Sequence, residues 1–228
     1  MTDKEIDLLK TELLSRTQTP FGAAKWLKGE NRIARITIPR EDVSLVLYSN
    51  RDIGGGISSY EVVHQIAKQR SSADGRDRRF DVTLLINGLP IAQIELKQVT
   101  TKDGIYQAFN QVKKYAEEGV FRNNIFSTLQ LFVVSNEQTT RYFANALPKN
   151  MHRKLLFSWR TKNNQKVENL YEFCKQVLNI PDAHRLIADY TIVSEDQDNK
   201  ILMVLHPYQI HAIEALYVSA NKHESGYV

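Results

Sequence analysis

Two apolar segments joined by an Asn-Gly dipeptide constrain the fold of this chain more than any other feature. Residues 80–97 are FDVTLLINGLPIAQIELK, in which both apolar runs are long enough to be strands. Asn-Gly between such runs predicts a β-hairpin, because both residues tolerate the positive φ angles of a tight turn. Asp81, Glu95 and Lys97 lie within these otherwise apolar segments. Burying charge is costly, so the three charged residues need an explanation.

The length of the hairpin loop decides whether the two carboxylates face each other. Side chains alternate between the faces of a strand, so Glu95 and Lys97 share one face. A two-residue loop sets Asp81 opposite a residue next to Glu95, whereas a three-residue loop, 87–89, pairs Asp81 with Glu95 directly. We predict the three-residue loop, with Gly88 in the left-handed region, or a bulge that has the same effect.

Two facing carboxylates repel each other unless a cation lies between them, and Mg²⁺ is an oxygen-seeking ion that suits such a pair. The expected ligands are Asp81, Glu95 and the backbone carbonyl of Leu96, and a metal there would activate water and a phosphate oxygen. Lys97 could orient or deprotonate that water, or stabilise charge on the phosphorus. These residues suit phosphodiester hydrolysis. The alternative is two ordinary ion pairs on a half-exposed sheet face.

The segment after the hairpin predicts a helix at 104–118 with a polar stripe. Gln107, Gln111 and Tyr115 are four residues apart and lie along one side of such a helix, while apolar residues between them indicate packing. A packed polar stripe beside a metal site can bind DNA phosphates or water. The alternative is an ordinary solvated face.

The remaining patterns predict a mixed α/β or α+β chain around a central sheet. A capping box at Thr2 and Glu5 begins the first helix, and Ser59 is expected to begin another. The predicted helices are 2–15, 59–69, 168–178, 181–188 and 207–222, and residues 70–79 are predicted to be a loop. The predicted strands are 32–38, 43–49, 129–135, 140–145, 190–194 and 201–205.

Composition narrows the class of protein. The 228 residues are 42% apolar, the net charge is +4, and the single cysteine excludes an internal disulfide. Without a signal peptide or an apolar run of 18 residues, we expect a soluble intracellular protein.

Residues 138–167 contain no Asp or Glu and could follow a phosphate backbone, although a solvated basic loop is the alternative. Their cationic residues are Arg141, Lys149, Arg153, Lys154, Arg160, Lys162 and Lys166.

One aromatic residue and a second basic group also bear on the expected DNA contacts. Trp159, in the acid-free stretch, is expected to be a core residue more than a base-stacking one. A second basic group precedes Asp81 and is near enough to hold DNA at the site. Its members are Lys68, Arg70, Arg76, Arg78 and Arg79.

Asp81, Glu95-Leu96-Lys97, and Gln111 with Tyr115 together resemble the PD-(D/E)xK nuclease superfamily with its RecB-type QxxxY motif. RRFDVTLLINGLPIAQIELKQ and QAFNQVKKY, followed by LQLFVVSN and TRYFAN, are similar to the amino-terminal nuclease domain of the motor (R) subunit of type I restriction enzymes. The resemblance spans roughly residues 30–220 and is specific at 79–115.

The resemblance implies an α/β fold with a restriction-endonuclease-like core, in which helices flank a central mixed β-sheet. It implies that Asp81 and Glu95 are metal ligands, that Lys97 is the catalytic lysine, and that Gln111 and Tyr115 support DNA or the site. Gln107, from the same helix stripe, and Arg79, from the second basic group, are added as supporting residues. The superfamily often adds a glutamate from an earlier helix, for which Glu5, Glu12 and Glu61 are candidates.

The last residues resemble the start of a second domain. HPYQIHAIEAL, residues 206–216, is similar to the adenine-recognition motif that opens superfamily 2 helicase motors, where Gln209 would bind adenine. ESGYV, residues 224–228, resembles the lead-in to a phosphate-binding loop, and no G-x-x-x-x-G-K-[ST] occurs. The expected division is an endonuclease domain at 1–200 and the start of a helicase-like motor domain at 201–228. Without the family context, 206–222 is simply a Pro-initiated amphipathic helix.

The resemblance also implies a function. It is Mg²⁺-dependent cleavage of duplex DNA, with Mn²⁺ as a substitute, at sites not read by sequence. In the full subunit, cleavage would follow ATP-driven translocation, with methyltransferase (M) and specificity (S) subunits as partners in a prokaryotic cytoplasm and no membrane contact. This piece alone is not expected to hydrolyse ATP. Two alternatives remain open: a non-catalytic DNA-binding or subunit-adaptor module of the same fold, and a repair nuclease or junction resolvase of the superfamily.

Overall fold

A five-stranded mixed sheet forms the centre of the computed structural model, which describes residues 2–29, 33–38, 43–51, 53–68, 77–196 and 199–222. The strands are β1 (Ile33–Ile38), β2 (Val43–Ser49), β3 (Tyr60–Lys68), β4 (Arg78–Ile86), β5 (Leu89–Leu96), β6 (Leu131–Ser135), β7 (Thr140–Ala144), β8 (Trp159–Arg160), β9 (Lys166–Val167), β10 (Thr191–Asp196) and β11 (Asn199–Val204). The α-helices are α1 (Asp3–Arg16), α2 (Pro20–Lys28), α3 (Gly104–Glu117), α4 (Leu170–Phe173), α5 (Asp182–Ala188) and α6 (Pro207–Asn221), and a π-helical segment, Cys174–Leu178, continues α4.

The central sheet has the order β3-β4-β5-β6-β7, and only its β5–β6 pair is parallel. A parallel pair needs a long crossover connection, which α3 provides between β5 and β6. The mixed sheet flanked by helices agrees with the predicted fold class. Strands β1 with β2, β8 with β9 and β10 with β11 form three further antiparallel pairs.

The β4–β5 hairpin turns at Asn87-Gly88, where φ is 50° and 77°. The loop has two residues, not the three predicted, since Ile86 pairs with Leu89. The register then shifts, because Leu85 pairs with Pro90 but Leu84 pairs with Ala92, which leaves one extra residue on β5. This bulge has the effect that the alternative prediction required. Continuing the register past the last recorded pair, Val82 with Ile94, places residue 81 opposite residue 95.

The two faces of the sheet build two apolar clusters. Along β6, Leu131 and Val133 belong to one cluster, while Phe132 and Val134 belong to the other. The first cluster also includes buried residues of α2, β1, β2, α5, β11 and α6. The second is formed largely with α3, whose Ala108, Phe109, Val112 and Tyr115 are buried. α3 therefore packs against the sheet face to which Phe132 and Val134 of β6 point.

One predicted helix is wrong. Residues 60–68, expected to be the helix begun by Ser59, form the edge strand β3. Tyr60, Val63 and Ile66 are partly buried at a spacing of three, which imitates one face of a helix. Pairing with β4 outweighs that local pattern, as tertiary context commonly does for strands. Of the predicted loop 70–79, residues 78 and 79 belong to β4, and 70–76 lie outside the described residues.

The other predicted elements are found within a few residues of their expected limits, including the capping box of Thr2 and Glu5. α2 was not predicted, although Thr19 caps it and Pro20 occupies its first turn, a common helix-start signal. Leu202, Val204 and Ile210 pack in the same cluster as the central sheet. The division at residue 200 stays a prediction. Among the described residues, no helix is long and apolar enough to cross a membrane.

Replacing Gly88 by Val is expected to lower the free energy of unfolding by about 1–2 kcal/mol, because a β-branched residue is strained at positive φ. No atom lies within 4 Å of an added Cβ, so the loss would come from the backbone and not from a clash. Urea unfolding of Gly88→Val and Gly88→Asn measures this, since Asn tolerates the conformation. Equal losses in both variants would contradict the conformational explanation.

Candidate active site

Asp81 and Glu95 come together because the bulge on β5 corrects the register of the hairpin. Glu95 lies on the central strand β5, where its side chain is 1% exposed. It pairs with Val134 of β6, on the sheet face that α3 covers. A carboxylate is thus buried in the middle of the sheet, with a second carboxylate on the neighbouring strand.

The β3–β4 ladder is irregular at Asp81. His64 pairs with Val82 and Ile66 with Phe80, with no pair recorded between them. Gln65, the residue that would face Asp81, has φ of 55°. Asp81 uses its carboxylate within the site, where Oδ2 accepts a 2.8 Å hydrogen bond from the backbone N–H of Leu96. Such local irregularities are frequent beside active sites, because they re-aim a side chain.

Gln111 of α3 links the charged residues. Its Oε1 accepts a hydrogen bond from Lys97 Nζ, and its Nε2 donates to Glu95 Oε1. The same Nε2 lies 2.5 Å from the Tyr115 hydroxyl, to which it donates. Lys97 Nζ is 3.9 Å from Glu95 Oε1, beyond hydrogen-bond distance. One amide therefore holds a carboxylate, an ammonium and a phenol in fixed positions.

Burial and charge determine the protonation of Glu95. Burial raises its pKa, the negative charge of Asp81 raises it further, and the positive charge of Lys97 lowers it, with a resulting value of about 8. Gln93 also contributes, since its Nε2 lies 3.3 Å from Glu95 Oε2 and favours the charged form. Without a cation, Glu95 holds a proton at neutral pH.

Tyr115 is enclosed by aromatic and cationic side chains. Its ring centroid lies 5.7 Å from that of Phe80 and 6.4 Å from that of Phe121. The Arg78 guanidinium lies 5.2 Å from the ring centroid and bonds to Glu118 just after α3. Burial raises the pKa of Tyr115, which therefore keeps its hydroxyl proton at neutral pH.

The structure thus brings together five of the predicted site residues: Asp81, Glu95, Lys97, Gln111 and Tyr115. Leu96, whose carbonyl was the predicted third ligand, contacts Asp81 through its N–H. The roles of all six stay predictions. Sequence reasoning missed Gln93 and Glu118, and it placed Arg78 only in a basic group. Gln93 could have been noticed, because a residue two before Glu95 shares its face of the strand.

Other predicted residues lie outside this network. Gln107 is exposed and donates to the Lys102 carbonyl at 2.9 Å. Arg79 is exposed on β4, opposite Ala67 in the ladder. Gln209 Oε1 accepts from the His206 backbone N–H at 2.9 Å, so this side chain caps α6. The ESGYV segment, Arg70 and Arg76 lie outside the described residues.

None of the three candidate glutamates joins the pair. Glu5 caps α1, Glu12 bonds to Arg16, and Glu61 is exposed on β3 opposite Leu85. Across the described ranges, no group of three or more His, Cys, Asp and Glu side chains could hold a metal ion. Carboxylate and carbonyl oxygens are nonetheless the donors that Mg²⁺ prefers, and the ion usually keeps several waters. The raised pKa of Glu95 also marks a place where a cation would offset repulsion. The carboxylates of Asp81 and Glu95 therefore suit such an ion, and the Leu96 carbonyl stays a predicted third donor.

Some cationic side chains of the acid-free stretch, residues 138–167, form ion pairs with acidic residues elsewhere in the chain, which its own sequence does not indicate. Arg141 bonds to Glu168 at 2.5 Å, and Lys162 lies 3.6 Å from Glu214, so acids outside the stretch offset part of its charge. Trp159 is buried in the main cluster, which confirms its expected role in the core. The exposed remainder includes Lys149, Arg153, Lys154 and Lys166. Arg153 lies 4.4 Å from the ring centroid of Tyr106 in the first turn of α3.

Comparison with known proteins points to one family. Residues 50–151 match the model of the type I restriction enzyme R protein N terminus. The whole chain is 33% identical to a type I restriction enzyme endonuclease subunit of Staphylococcus aureus (strain MSSA476), of which it covers 23%. A Staphylococcus saprophyticus subunit of the same description is 35% identical, again with 100% of this chain and 23% of the relative covered.

A relative from another genus agrees. The EcoprrI type I restriction enzyme endonuclease subunit of Escherichia coli is 35% identical over 154 residues, which are 67% of this chain and 48% of that protein. The chain spans about a quarter of the length of the staphylococcal relatives. The family match, residues 50–151, includes every residue of the Gln111 network described above. This chain belongs to the type I restriction enzyme R protein family and contains its N-terminal domain.

Proposed function

We propose that this chain is the DNA endonuclease domain of a type I restriction-modification R subunit, with a PD-(D/E)xK site. It hydrolyses phosphodiester bonds of duplex DNA with Mg²⁺, or Mn²⁺ in its place, and does not read sequence at the cut. The observation that supports this most directly is the Gln111 network, in which one side chain bonds to both Glu95 and Lys97 beside Asp81. A structural ion pair needs no such third residue.

Each residue has a role in this proposal. Asp81, Glu95 and the Leu96 carbonyl would hold a metal ion, which would supply Lewis-acid activation of the phosphate and of a water. Lys97 would orient the attacking water, deprotonate it in the amine form, or, as the ammonium, donate to a phosphate oxygen that gains charge. Gln111 accepts a hydrogen bond from the Lys97 ammonium, which also forms an ion pair with Glu95 at 3.9 Å, beyond hydrogen-bond distance. An ammonium has three N–H donors, so Lys97 would still have a donor for the substrate besides the one that Gln111 accepts.

DNA binding would use the exposed cations near α3. Arg153 lies against Tyr106 at the start of that helix. Lys149 and Lys154 are exposed in the same segment, between β7 and β8. Arg79, two residues before Asp81, adds charge beside the site. Contacts of this type bind phosphates without reading bases, which suits cleavage at variable positions.

In the full subunit, we propose that cleavage follows ATP-driven translocation by motor domains that begin near residue 201. Gln209 would then contact adenine after giving up its capping bond to His206. The methyltransferase and specificity subunits would supply the partners and the reading of sequence, in a prokaryotic cytoplasm. The relatives are named endonuclease subunits of type I restriction enzymes, which supports this assembly.

The other candidate function is a non-catalytic module that binds DNA or another subunit. One observation favours it: within the described ranges, no third acidic side chain joins Asp81 and Glu95. The two candidates differ in whether the carboxylate pair binds a metal and whether Lys97 takes part in cleavage.

Replacing Lys97 by Ala in the full-length subunit is expected to abolish DNA cleavage while ATP hydrolysis continues, because Lys97 lies on the hairpin and far in sequence from the proposed motor. The measurement is ATP-dependent cleavage of a circular plasmid by the reconstituted complex, with ATPase activity followed in parallel. Cleavage by the variant at the wild-type rate would exclude a catalytic Lys97. Loss of ATPase activity in a folded variant would exclude separate sites.

Replacing Glu95 by Ala or Gln is expected to weaken Mg²⁺ and Mn²⁺ binding by this chain at least tenfold, a loss of about 1.4 kcal/mol, because one of two charged ligands is removed. Isothermal titration calorimetry with Mn²⁺ measures the affinity. Glu117→Gln is the matched control, since Glu117 is an exposed acid on α3. Equal affinities of the wild type, both Glu95 variants and the Glu117→Gln control would remove Glu95 from the ligand set.

The metal-free chain is expected to lose stability as the pH rises. Glu95 has a pKa raised from 4.5 to about 8, so the folded state keeps a proton that the unfolded chain releases. The resulting stabilisation is fully present below about pH 4.5 and is lost as the pH rises through about 8. Urea unfolding in EDTA across this window should show a steeper decline for the wild type than for Glu95→Gln. Parallel profiles would contradict the raised pKa.

A further inference from the structure

A second set of contacts connects the site to the end of α3. Arg78 Nε donates to Glu118 Oε2 at 2.7 Å, and its Nη2 donates to Oε1, so the pair is bidentate. The two side chains are 15% and 28% exposed, which is less than most surface ion pairs of this chain. Arg78 begins β4, and Glu118 follows the last residue of α3. The pair therefore ties the strand that contains Asp81 to the helix that contains Gln111.

The Arg78 guanidinium also fixes the ring of Tyr115. It lies 5.2 Å from the ring centroid, a cation–π distance. Phe80 and Phe121 pack against the same ring at centroid distances of 5.7 and 6.4 Å. Because Glu118 holds both donor positions of the guanidinium fork, Arg78 cannot leave the ring without breaking a bidentate pair. The ring is thus held by packing and by charge.

Tyr115 in turn sets the position of Gln111. The hydroxyl accepts from Gln111 Nε2 at 2.5 Å, beside the bond from the same nitrogen to Glu95. The amide is asymmetric: a flip would point its carbonyl oxygen at a carboxylate and its NH₂ group at the Lys97 ammonium. The observed bonds to Glu95 and Lys97 therefore require the Gln111 Nε2 atom to stay between the Tyr115 hydroxyl and Glu95.

We propose that Arg78 and Glu118 are positioning residues for cleavage, which act through Tyr115 to hold Gln111 against Glu95 and Lys97. This inference rests on the proposed nuclease function and assigns no contact between Arg78 and DNA. The chain of contacts runs from Glu118 through Arg78, Tyr115 and Gln111 to the catalytic lysine. Each link is a recorded hydrogen bond or ring contact.

The test is single-turnover plasmid cleavage by the reconstituted complex with the full-length subunit. It compares Arg78→Ala, Glu118→Gln and the double variant with wild type. The rate at saturating DNA is expected to fall about tenfold in each, with the half-saturating DNA concentration unchanged, because placement and not binding is lost. The double variant should lose no more than either single variant, since both break one link. Arg78→Lys should be impaired, because an ammonium lacks the bidentate fork.

Two control variants match these changes. Arg16→Ala removes an arginine paired with Glu12 on α1, and Glu117→Gln neutralises the neighbour of Glu118. Both are expected to cleave at the wild-type rate. Thermal unfolding of every variant identifies any that fail to fold. Should Arg78→Ala be among these, Glu118→Gln and Arg78→Lys, which keep most of the packing, provide the same kinetic comparison.

Two results would overturn the proposal. The first is a raised half-saturating DNA concentration in Arg78→Ala with normal cleavage by Glu118→Gln, which would make Arg78 a phosphate contact. The second is a wild-type saturating rate in the folded variants. Lys97→Ala, run in parallel, separates the two levels of inference. If it abolishes cleavage while the Arg78 and Glu118 variants are unaffected, only the positioning role fails. If it cleaves normally, the proposed site itself is wrong.

Discussion

The burial of Glu95 beside Asp81 is the constraint on which the site depends. A carboxylate on a central strand is unfavourable unless it is protonated, hydrogen-bonded or paired, because the interior solvates charge poorly. Here the side chain accepts bonds from Gln111 and Gln93, and its pKa is raised to about 8. Three neighbouring features produce this arrangement. The central position of β5 buries Glu95, the bulge on β5 brings Asp81 of β4 opposite Glu95, and α3 supplies the Gln111 amide.

How much of this arrangement could be predicted depends on the distance in sequence between the interacting parts. The hairpin follows from Asn87-Gly88, a local signal, and the structure confirms it. The register of the two strands does not follow from this signal, since a two-residue loop alone would have turned Glu95 away from Asp81. The extra residue on β5 restores the facing register, and the sequence indicated it only indirectly, as one of two ways to bring the carboxylates together. β3 was misread for a related reason, because its edge position exposes most residues and leaves apolar ones at a helical spacing.

Within the site, the spacing of residues along one helix predicted a contact that the helix geometry alone is enough to form. Gln111 and Tyr115 are one helical turn apart and meet through a direct hydrogen bond. Gln107 is one turn earlier on the same side, yet it is exposed, and it donates to the Lys102 carbonyl before the start of the helix instead of to the charged residues. Arg78 and Glu118 are 40 residues apart, so their pairing follows from the packing of α3 on the sheet and from no pattern in the sequence.

The candidate functions reduce to one physical question, which is what offsets the repulsion between Asp81 and Glu95. Lys97 does not do so alone, since its ammonium is 3.9 Å from the nearest Glu95 oxygen and bonds to Gln111. A proton on Glu95 does so at neutral pH, as the raised pKa indicates, and it would suffice for a purely structural module. A divalent cation would do so with more effect, because it attracts both carboxylates at once and releases that proton. A hydrolytic site would use an ammonium that Gln111 holds beside two carboxylates to contact the substrate, whereas a module without catalysis has no use for a lysine at that position. The position of Lys97, bonded to Gln111 and 3.9 Å from Glu95, therefore favours the nuclease.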